Sequence, residues 1–281
     1  MSLTVILLIA VNALFHALWN FAAKKASGNF YAVYLGLVMS CIVAVPALFL
    51  VSPSEFYKAG AYPYVLASGA LNAFYFFILA KSYEHGDISL VFPIARGTGI
   101  AGTVMLAYLL LGERTSPIGI ARILAICAGI ILTGYQHLRT GVFHKGLMYA
   151  LLVGSTTVSY SIIDKLGVGI MNPVAYAFGF TAVATLLLTP YVVIFKRREL
   201  ADAWKRYRIH GFIVGVGSLG TYMLILFIFR IAKVSYVVAL RELAVVFGSL
   251  LGFRFLGEKP TGVKIAGIGL IVLGVIVIKM A

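Results

Sequence analysis

The chain has 281 residues, of which 62% are hydrophobic and only 11% are charged, and its mean hydropathy is +1.02. A soluble domain with this composition would not stay dispersed in water, so the composition predicts an integral membrane protein. The net charge of +14 does not indicate nucleic-acid binding, because most Lys and Arg residues separate apolar runs, where they face water and lipid headgroups.

Apolar runs of about 20 residues, the length that crosses the hydrocarbon core of a bilayer, recur along the whole chain. The first run continues past the length of a signal-peptide core, so we expect it to remain as the first span. The longest and most charged break, residues 196–208, is expected to be a loop. The ten predicted spans cover residues 3–24, 30–51, 62–82, 88–111, 117–138, 146–166, 172–195, 209–230, 233–256 and 260–280.

The sequence contains an internal repeat. Residues 109–134 align with residues 254–279 at an offset of 145 positions, and residues 18–28 align in a similar way with residues 159–169. The LGE triplets in the first pair of segments end spans 4 and 9. We expect their Glu113 and Glu258 at the membrane interface, where they anchor the helix or close a gate against a loop cation.

The repeat predicts an all-α membrane fold with ten transmembrane helices in two five-helix repeats, residues 1–138 and 146–281. Because five is an odd number, the second repeat must enter the membrane from the opposite side. Inverted repeats of this kind are typical of transporters, which place their substrate site near the midplane of the bilayer.

Three motifs resemble those of a known family: HALWNFAAKK in the first span, FPIARG at the start of span 4, and LGE at the ends of spans 4 and 9. With them the whole chain resembles the drug/metabolite transporter (DMT) superfamily, in its bacterial EamA branch. The resemblance implies alternating access without ATP hydrolysis or a cofactor, in a multi-pass protein of the bacterial inner (plasma) membrane. The chain length and the PIARG element also resemble a subgroup found beside phosphonate-utilisation functions.

Gly97, Gly99 and Gly102 form the spacing G-x-G-x-x-G, which also occurs in dinucleotide-binding loops. That function requires a preceding strand and a helix N-terminus directed at a pyrophosphate, and neither is predicted here. We therefore expect these glycines to let neighbouring helices approach closely.

Arg96 lies about 12 Å into span 4 at 1.5 Å per residue, and Arg241 occupies the matching place in span 9. A charged residue this deep normally faces the bundle interior or a wet cavity. Glu242 is the only carboxylate deep in a predicted span, so it cannot neutralise both guanidiniums. The arginines either brace the bundle or bind an anionic substrate group, and a guanidinium fork suits carboxylate or phosphonate oxygens.

The first helix carries Asn12, His16 and Asn20 at every fourth position, with Trp19 one turn from His16. A polar stripe in a spanning helix is expected to line a pathway, and Tyr160 is expected on the opposite wall. His16 either carries a proton near neutral pH or serves as a hydrogen-bonding partner. Glu242 is the other candidate for a coupling proton.

Asn72 and Tyr75 in span 3 and Tyr222 in span 8 complete the predicted substrate site, since small-molecule sites combine aromatic walls with few polar groups. Neither cysteine falls in a metal-ligating pattern, and no H-E-x-x-H motif or activated serine occurs, so neither a metal site nor an enzyme is predicted.

These observations predict a secondary active transporter, an exporter or exchanger, that moves a small anionic or zwitterionic metabolite across the membrane. The expected partners are a metabolite with a carboxylate, phosphate or phosphonate group and the lipid bilayer, and the expected assembly is a monomer or a homodimer. The alternative function is a flippase for an anionic lipid or a lipid-linked metabolite.

Overall fold

A computed structural model describes residues 3–25, 29–85, 88–138, 145–255 and 260–278. All regular structure in these ranges is helical. The helices are Leu3–Lys25 (α1), Phe30–Leu48 (α2), Tyr62–His85 (α3), Ile88–Leu111 (α4), Pro117–Leu138 (α5), Lys145–Ile170 (α6), Pro173–Pro190 (α7), Arg197–Ile231 (α8), Val234–Arg241 (α9), Leu243–Phe255 (α10) and Gly262–Ile278 (α11). Short 3₁₀ turns at Pro53–Tyr57 and Ala59–Ala61 precede α3, and a π-helical turn at Tyr191–Phe195 extends α7.

Eight helical segments of the described chain are long and apolar enough to cross a membrane. Two further apolar stretches, Pro117–Leu132 in α5 and Gly262–Gly274 in α11, are shorter. Together these segments correspond to the ten predicted spans, because α9 and α10 share the ninth, so the all-α membrane fold is confirmed. The bounds of α4 and α5 coincide with the predicted spans 88–111 and 117–138.

The charged segment 196–208, predicted as a loop, is helical except for a single residue. Lys196 makes the turn after α7, and α8 then runs for 35 residues, or about 52 Å, which exceeds the thickness of a bilayer core. Leu200 packs against a buried cluster on α2, α3 and α7, and Ala203 is buried. This one apolar face, together with strong helix formers among the charged residues, extends the helix beyond the apolar span.

The ninth span, predicted over residues 233–256, is one apolar span, Val234–Phe255, whose helix is interrupted at a single residue. Helix α9 ends at Arg241, Glu242 lies between the two segments, and α10 begins at Leu243. Around the break the chain closes tight i to i−3 hydrogen bonds, from the Glu242 amide to the Ala239 carbonyl (3.2 Å) and from the Val245 amide to the Glu242 carbonyl (2.9 Å). Hydropathy cannot show such a break, because apolar residues continue on both sides of it.

The described helices belong to two compact units. The first comprises Met1–Ala17, Lys81–Ile162 and Ala232–Ala281, and the second comprises Leu18–Ala80 and Ile163–Ile231. Each unit draws helices from both halves of the chain, so the compact units do not follow the order of the sequence repeat.

Small residues bring helices of the first unit into close contact. A Cβ atom added to Gly129 of α5 would lie 2.6 Å from the Gly267 carbonyl oxygen of α11. Any side chain there would force the two backbones apart, so glycine allows α5 and α11 to pack at this distance.

The predicted packing role of the glycines in α4 is confirmed in part. A Cβ atom on Gly99 would lie 3.2 Å from Thr157, and one on Gly102 would collide with Val158, both on α6. Gly97, in contrast, faces open space. The G-x-G-x-x-G spacing therefore contains two packing positions, within a continuous helix.

In the second unit, α2 and α8 are held together through small residues and one serine. A Cβ atom on Gly211 would lie 3.2 Å from the Ala32 carbonyl oxygen, and one on Gly215 would collide with the Gly36 carbonyl. The Ser40 hydroxyl donates to the Gly215 carbonyl at 2.9 Å. Polar donors of this kind stabilise helix pairs in a membrane, where no water competes.

The LGE triplet at the end of α4 makes a structural cap on another helix. Gly112 has a φ of +64°, a left-handed conformation that favours glycine and turns the chain after Leu111. The buried Glu113 carboxylate then accepts hydrogen bonds from the amides of Val234 (2.8 Å) and Ser235 (3.2 Å) and from the Ser235 hydroxyl (2.7 Å).

Glu113 therefore satisfies the free amides at the start of α9. Of the two predicted roles, this contact corresponds to anchoring a helix and not to closing a gate against a loop cation. A negative charge is favoured at a helix N-terminus, where the amides and the helix dipole are positive. Its repeat counterpart, Glu258, lies outside the described residues.

Glu55, in the 3₁₀ turn before α3, links two segments of the second unit. One carboxylate oxygen accepts from the Asn172 amide at the start of α7 (2.7 Å), and the other accepts from Lys58 (2.7 Å). The Lys58 ammonium and then the Asn172 amide hold the pKa of Glu55 below its ordinary value of 4.5.

Replacing Glu113 by Ala should lower the free energy of unfolding by about 2 kcal/mol, because three buried donors at the start of α9 lose their acceptor. Titration of the detergent-purified protein with SDS measures this loss. Ser116→Ala is the matched control, since its hydroxyl accepts from a single amide, that of Gly119 (3.1 Å). Equal losses in the two variants would show that the carboxylate does not hold α9.

Glu55→Gln should lower the melting temperature near neutral pH and have no effect in acid. A carboxyl group with a lowered folded-state pKa stabilises the fold fully above its ordinary pKa, and this contribution is lost as pH falls through the lowered value. Thermal unfolding in detergent across this pH range tests the expectation. Glu199→Gln, which removes only an exposed pair with Lys196 (3.1 Å), should change the melting temperature less at neutral pH.

Candidate functional site

Arg96 is the centre of a polar cluster inside the first unit. Its side chain, 20% exposed, extends from α4, and its Nη1 donates to the Glu242 Oε1 at 3.2 Å. Its Nη2 donates to the Nε2 of His16 on α1 at 3.0 Å. Residues far apart in the sequence thus meet around one guanidinium, because a charge in an apolar bundle requires polar partners.

The contact with Arg96 fixes the protonation of the His16 ring. A guanidinium has only donors, so the Nε2 of His16 must accept and must carry no proton. His16 is therefore a neutral imidazole whose proton lies on Nδ1. A proton added to Nε2 would break the bond to Arg96, which links the charge of this ring to the position of the guanidinium.

Glu242 lies at the break between α9 and α10 and is only 2% exposed. Its Oε1 accepts from Arg96, while its Oε2 is buried without a hydrogen-bond partner among the described residues. Nearly all buried polar atoms in proteins are paired, so this oxygen is an exception that calls for a physical explanation.

Arg241, the last residue of α9, is also buried, and its positive charge acts on both His16 and Glu242. Helix α9 has eight residues and is about 12 Å long. It is largely buried, and Arg241 is its last residue. Glu113 holds the other end through the amides of Val234 and Ser235. The cap lies about two helical turns before Arg241 on the same helix.

The structure thus brings together four of the predicted site residues: His16, Arg96, Arg241 and Glu242. With Glu242 ionised and His16 neutral, these four side chains carry a net charge of +1. Tyr160, on α6 in the same unit, is buried as well.

The other predicted site residues belong to the second unit. The Trp19 indole donates to the Thr221 hydroxyl at 3.2 Å, and Asn20 is half-buried on α1. The Asn72 amide donates back to the Ser68 carbonyl, one turn earlier on α3 (2.9 Å). Trp19 and Asn72 thus each make at least one contact inside this unit.

Two predicted aromatic residues of the second unit also have protein partners. Tyr75 packs edge-on against Phe76, with ring centroids 5.2 Å apart. Tyr222 packs edge-on against Phe180 (5.8 Å) and donates its hydroxyl to Asp164.

Asp164 is a buried carboxylate near the end of predicted span 6. Predicted span 6 ended at residue 166, but α6 continues to Ile170, and Asp164 is 0% exposed. The hydroxyl of Tyr176 donates to it at 2.9 Å, and that of Tyr222 donates to its other oxygen. Ser161, Asp164 and Lys165 follow helical spacing, which was the signal that the polar face continued.

No group of three or more His, Cys, Asp or Glu side chains that could hold a metal ion occurs among the described residues. The polar chemistry of the first unit is that of two guanidiniums, one imidazole and one carboxylate. Such groups can bind an anion and can move a proton.

A family model and solved structures both match the chain. Residues 3–135 and residues 144–280 each match the EamA-like transporter family. One solved crystal structure superposes on the chain with a TM-score of 0.81 at 17% sequence identity, over 99% of this chain and 98% of the other, and this likeness shows the fold. None of the curated proteins compared matches the chain.

The two family matches follow one another along nearly the whole chain, on a fold of apolar spanning helices. They confirm the resemblance and the two-repeat architecture that the sequence motifs predicted. The chain is therefore a multi-pass membrane protein that belongs to the EamA-like transporter family, within the drug/metabolite transporter superfamily.

Proposed function

We propose that this protein is a secondary active transporter that moves a small anionic or zwitterionic metabolite by alternating access. Arg96 and Arg241 bind the anionic group of the substrate, a carboxylate, phosphate or phosphonate. The observation that carries the proposal is the cluster of two arginines around the single carboxylate of Glu242, buried in the helices of a transporter family. The net positive charge of these groups favours an anion.

The geometry of Arg96 supports the choice of ligand. A guanidinium presents parallel donors that match two oxygens of one carboxylate or phosphonate group. In this structure the two Nη atoms of Arg96 bond to two different residues, Glu242 and His16. An incoming anion with two oxygens can replace these two single contacts with one bidentate contact.

The break after Arg241 supports alternating access. Discontinuous spanning helices occur at the substrate and ion sites of secondary transporters, where half-helices rearrange around a fixed site. Here the break lies beside both arginines, so a change at the anion site can alter the junction of α9 and α10. We assign Tyr160 of the same unit to shaping the rest of the substrate. The roles of Trp19, Asn20, Asn72, Tyr75 and Tyr222, all in the second unit, stay predictions from the sequence.

Glu242 and His16 are the proposed sites of a coupling proton. Both contact Arg96, and both lose or weaken that contact when they gain a proton on the bonded atom. Proton binding and the state of the anion site are thereby linked through one guanidinium. From its family we also propose that the protein lies in the bacterial inner membrane, as a monomer or a homodimer.

Arg96→Gln should reduce substrate uptake into proteoliposomes by about a hundredfold, because a buried anion loses its charged donor. The substrate is first found by a thermal-shift screen of purified protein against carboxylates, amino acids, phosphates and phosphonates, since a ligand of the folded state raises its melting temperature. The variant should remain monodisperse in detergent and lose the ligand-induced shift. Arg206→Gln, an exposed arginine of α8, is the matched control and should retain both.

If Arg96→Gln does not fold, and other substitutions of Arg96 that do fold still bind the ligand normally, Arg96 is a brace of the bundle. Stabilisation by an anionic lipid instead of a soluble acid would indicate a flippase.

Uptake by wild-type proteoliposomes should respond to an imposed pH gradient, and this response should disappear in His16→Gln or Glu242→Gln. A Gln at position 16 still offers an acceptor oxygen to Arg96 but cannot take up a proton near neutral pH. Retention of the response in one variant would remove that residue from the proton pathway. If uptake by the wild type does not respond to the gradient, neither His16 nor Glu242 belongs to a proton pathway.

A further inference from the structure

Two buried carboxylates in the first unit are satisfied to different degrees. Both oxygens of Glu113 are bonded, one to the Val234 amide and the other to the amide and hydroxyl of Ser235. Glu242 is more deeply buried, yet only its Oε1 is bonded, and its Oε2 has no partner within the described chain. A carboxylate with a fixed structural role is expected to resemble Glu113, because an unpaired buried oxygen is costly.

The bond between Glu242 and Arg96 is also longer and simpler than the strong contacts of this kind. It joins one nitrogen to one oxygen at 3.2 Å, whereas strong guanidinium–carboxylate pairs are shorter, at about 2.7 to 2.9 Å, and often bidentate. The second nitrogen of Arg96 bonds to His16 and not to Glu242. Glu242 therefore contacts the anion site without filling it.

We propose that Glu242 is a built-in competitor for the anion site: its carboxylate occupies Arg96 in the empty transporter and is displaced by the anionic group of the substrate. This inference rests on the proposed function and adds to it the way in which the same site is regulated. The internal carboxylate partly neutralises the arginines when no substrate is present, so the empty transporter need not expose an uncompensated charge in the membrane.

The position of Glu242 couples this displacement to the helix. Its backbone forms the break between α9 and α10, and Arg241 precedes it directly. Displacement of the side chain from Arg96 therefore takes place at the residue where the helix is interrupted. Substrate binding thereby acts on the discontinuous helix through Glu242.

The competition predicts a gain of affinity when the competitor is removed. If Arg96 is free of Glu242 in only a small fraction of molecules, the apparent Kd equals the intrinsic Kd divided by that fraction. Minor states commonly make up about 0.1 to 10% of an ensemble, so removing the carboxylate should lower the apparent Kd at least about tenfold.

The experiment compares purified full-length wild type and Glu242→Gln, titrated with sodium acetate, glycine, sodium phosphate and sodium methylphosphonate at constant ionic strength. Gln keeps the shape of the side chain and removes its charge. The apparent Kd is measured by isothermal titration calorimetry and by the shift in melting temperature. A tighter apparent Kd in Glu242→Gln, for an anion that also binds wild type or binds the variant alone, supports the competitor.

A Kd that is unchanged or weaker in Glu242→Gln, with clear binding to wild type, overturns the competitor and leaves the proposed function standing. Binding of no probe to either protein overturns the anion site itself. The two failures are therefore distinguishable.

Two controls show where the gain of affinity arises. Glu199→Gln changes an exposed carboxylate that pairs with Lys196 on the second unit, far in sequence from the arginines, and should leave the apparent Kd unchanged. The double variant Arg96→Gln with Glu242→Gln should lose the gain. If Glu242→Gln is not monodisperse, Glu242→Asp serves instead: its shorter side chain withdraws the carboxylate from Arg96, and the apparent Kd should again fall.

Discussion

The first unit depends on one constraint, the need to compensate the guanidinium of Arg96 inside an apolar bundle. A lone charge at this depth is too costly to remain without partners. His16 meets part of the need by presenting an unprotonated ring nitrogen, and Glu242 meets another part with one carboxylate oxygen. The same constraint explains a neutral histidine in α1 and a carboxylate at a break in the ninth span, two features that would be unfavourable in an ordinary spanning helix.

In this unit, the end of α4, from the first half of the sequence, contacts the start of α9, from the second half. Helix α4 carries Arg96 and ends at Gly112, where the left-handed turn directs Glu113 to the start of α9. Helix α9 carries Arg241 at its other end. A single triplet, LGE, therefore terminates one arginine-bearing helix and caps the other. Its role in the fold follows from helix-end chemistry, in which free amides attract a carboxylate.

Local patterns predicted most of the fold, whereas long-range contacts escaped prediction. Helix bounds followed from apolar length, and the depth of Arg96 followed from its place in span 4. The cap made by Glu113 joins residues 121 positions apart, and no local pattern indicates it. The partners of Asp164, Tyr176 and Tyr222, lie on other helices, and no local pattern indicates these contacts either. The charged start of α8 was predicted as a loop because its average polarity is high. The apolar face that packs, which includes Leu200, covers only one side of the helix.

Comparison of the two carboxylates separates the fixed part of the first unit from the part that can change. Glu113 uses both oxygens on backbone amides and a hydroxyl that cannot leave without exposing the start of α9. Glu242 uses one oxygen, on a long flexible side chain, at a point where the helix is already interrupted. Moving Glu113 would break several buried hydrogen bonds, whereas moving Glu242 breaks one. A conformational change driven by an anion should therefore begin at Glu242 and leave the cap at Glu113 intact, because a transition follows the contacts that cost least to exchange.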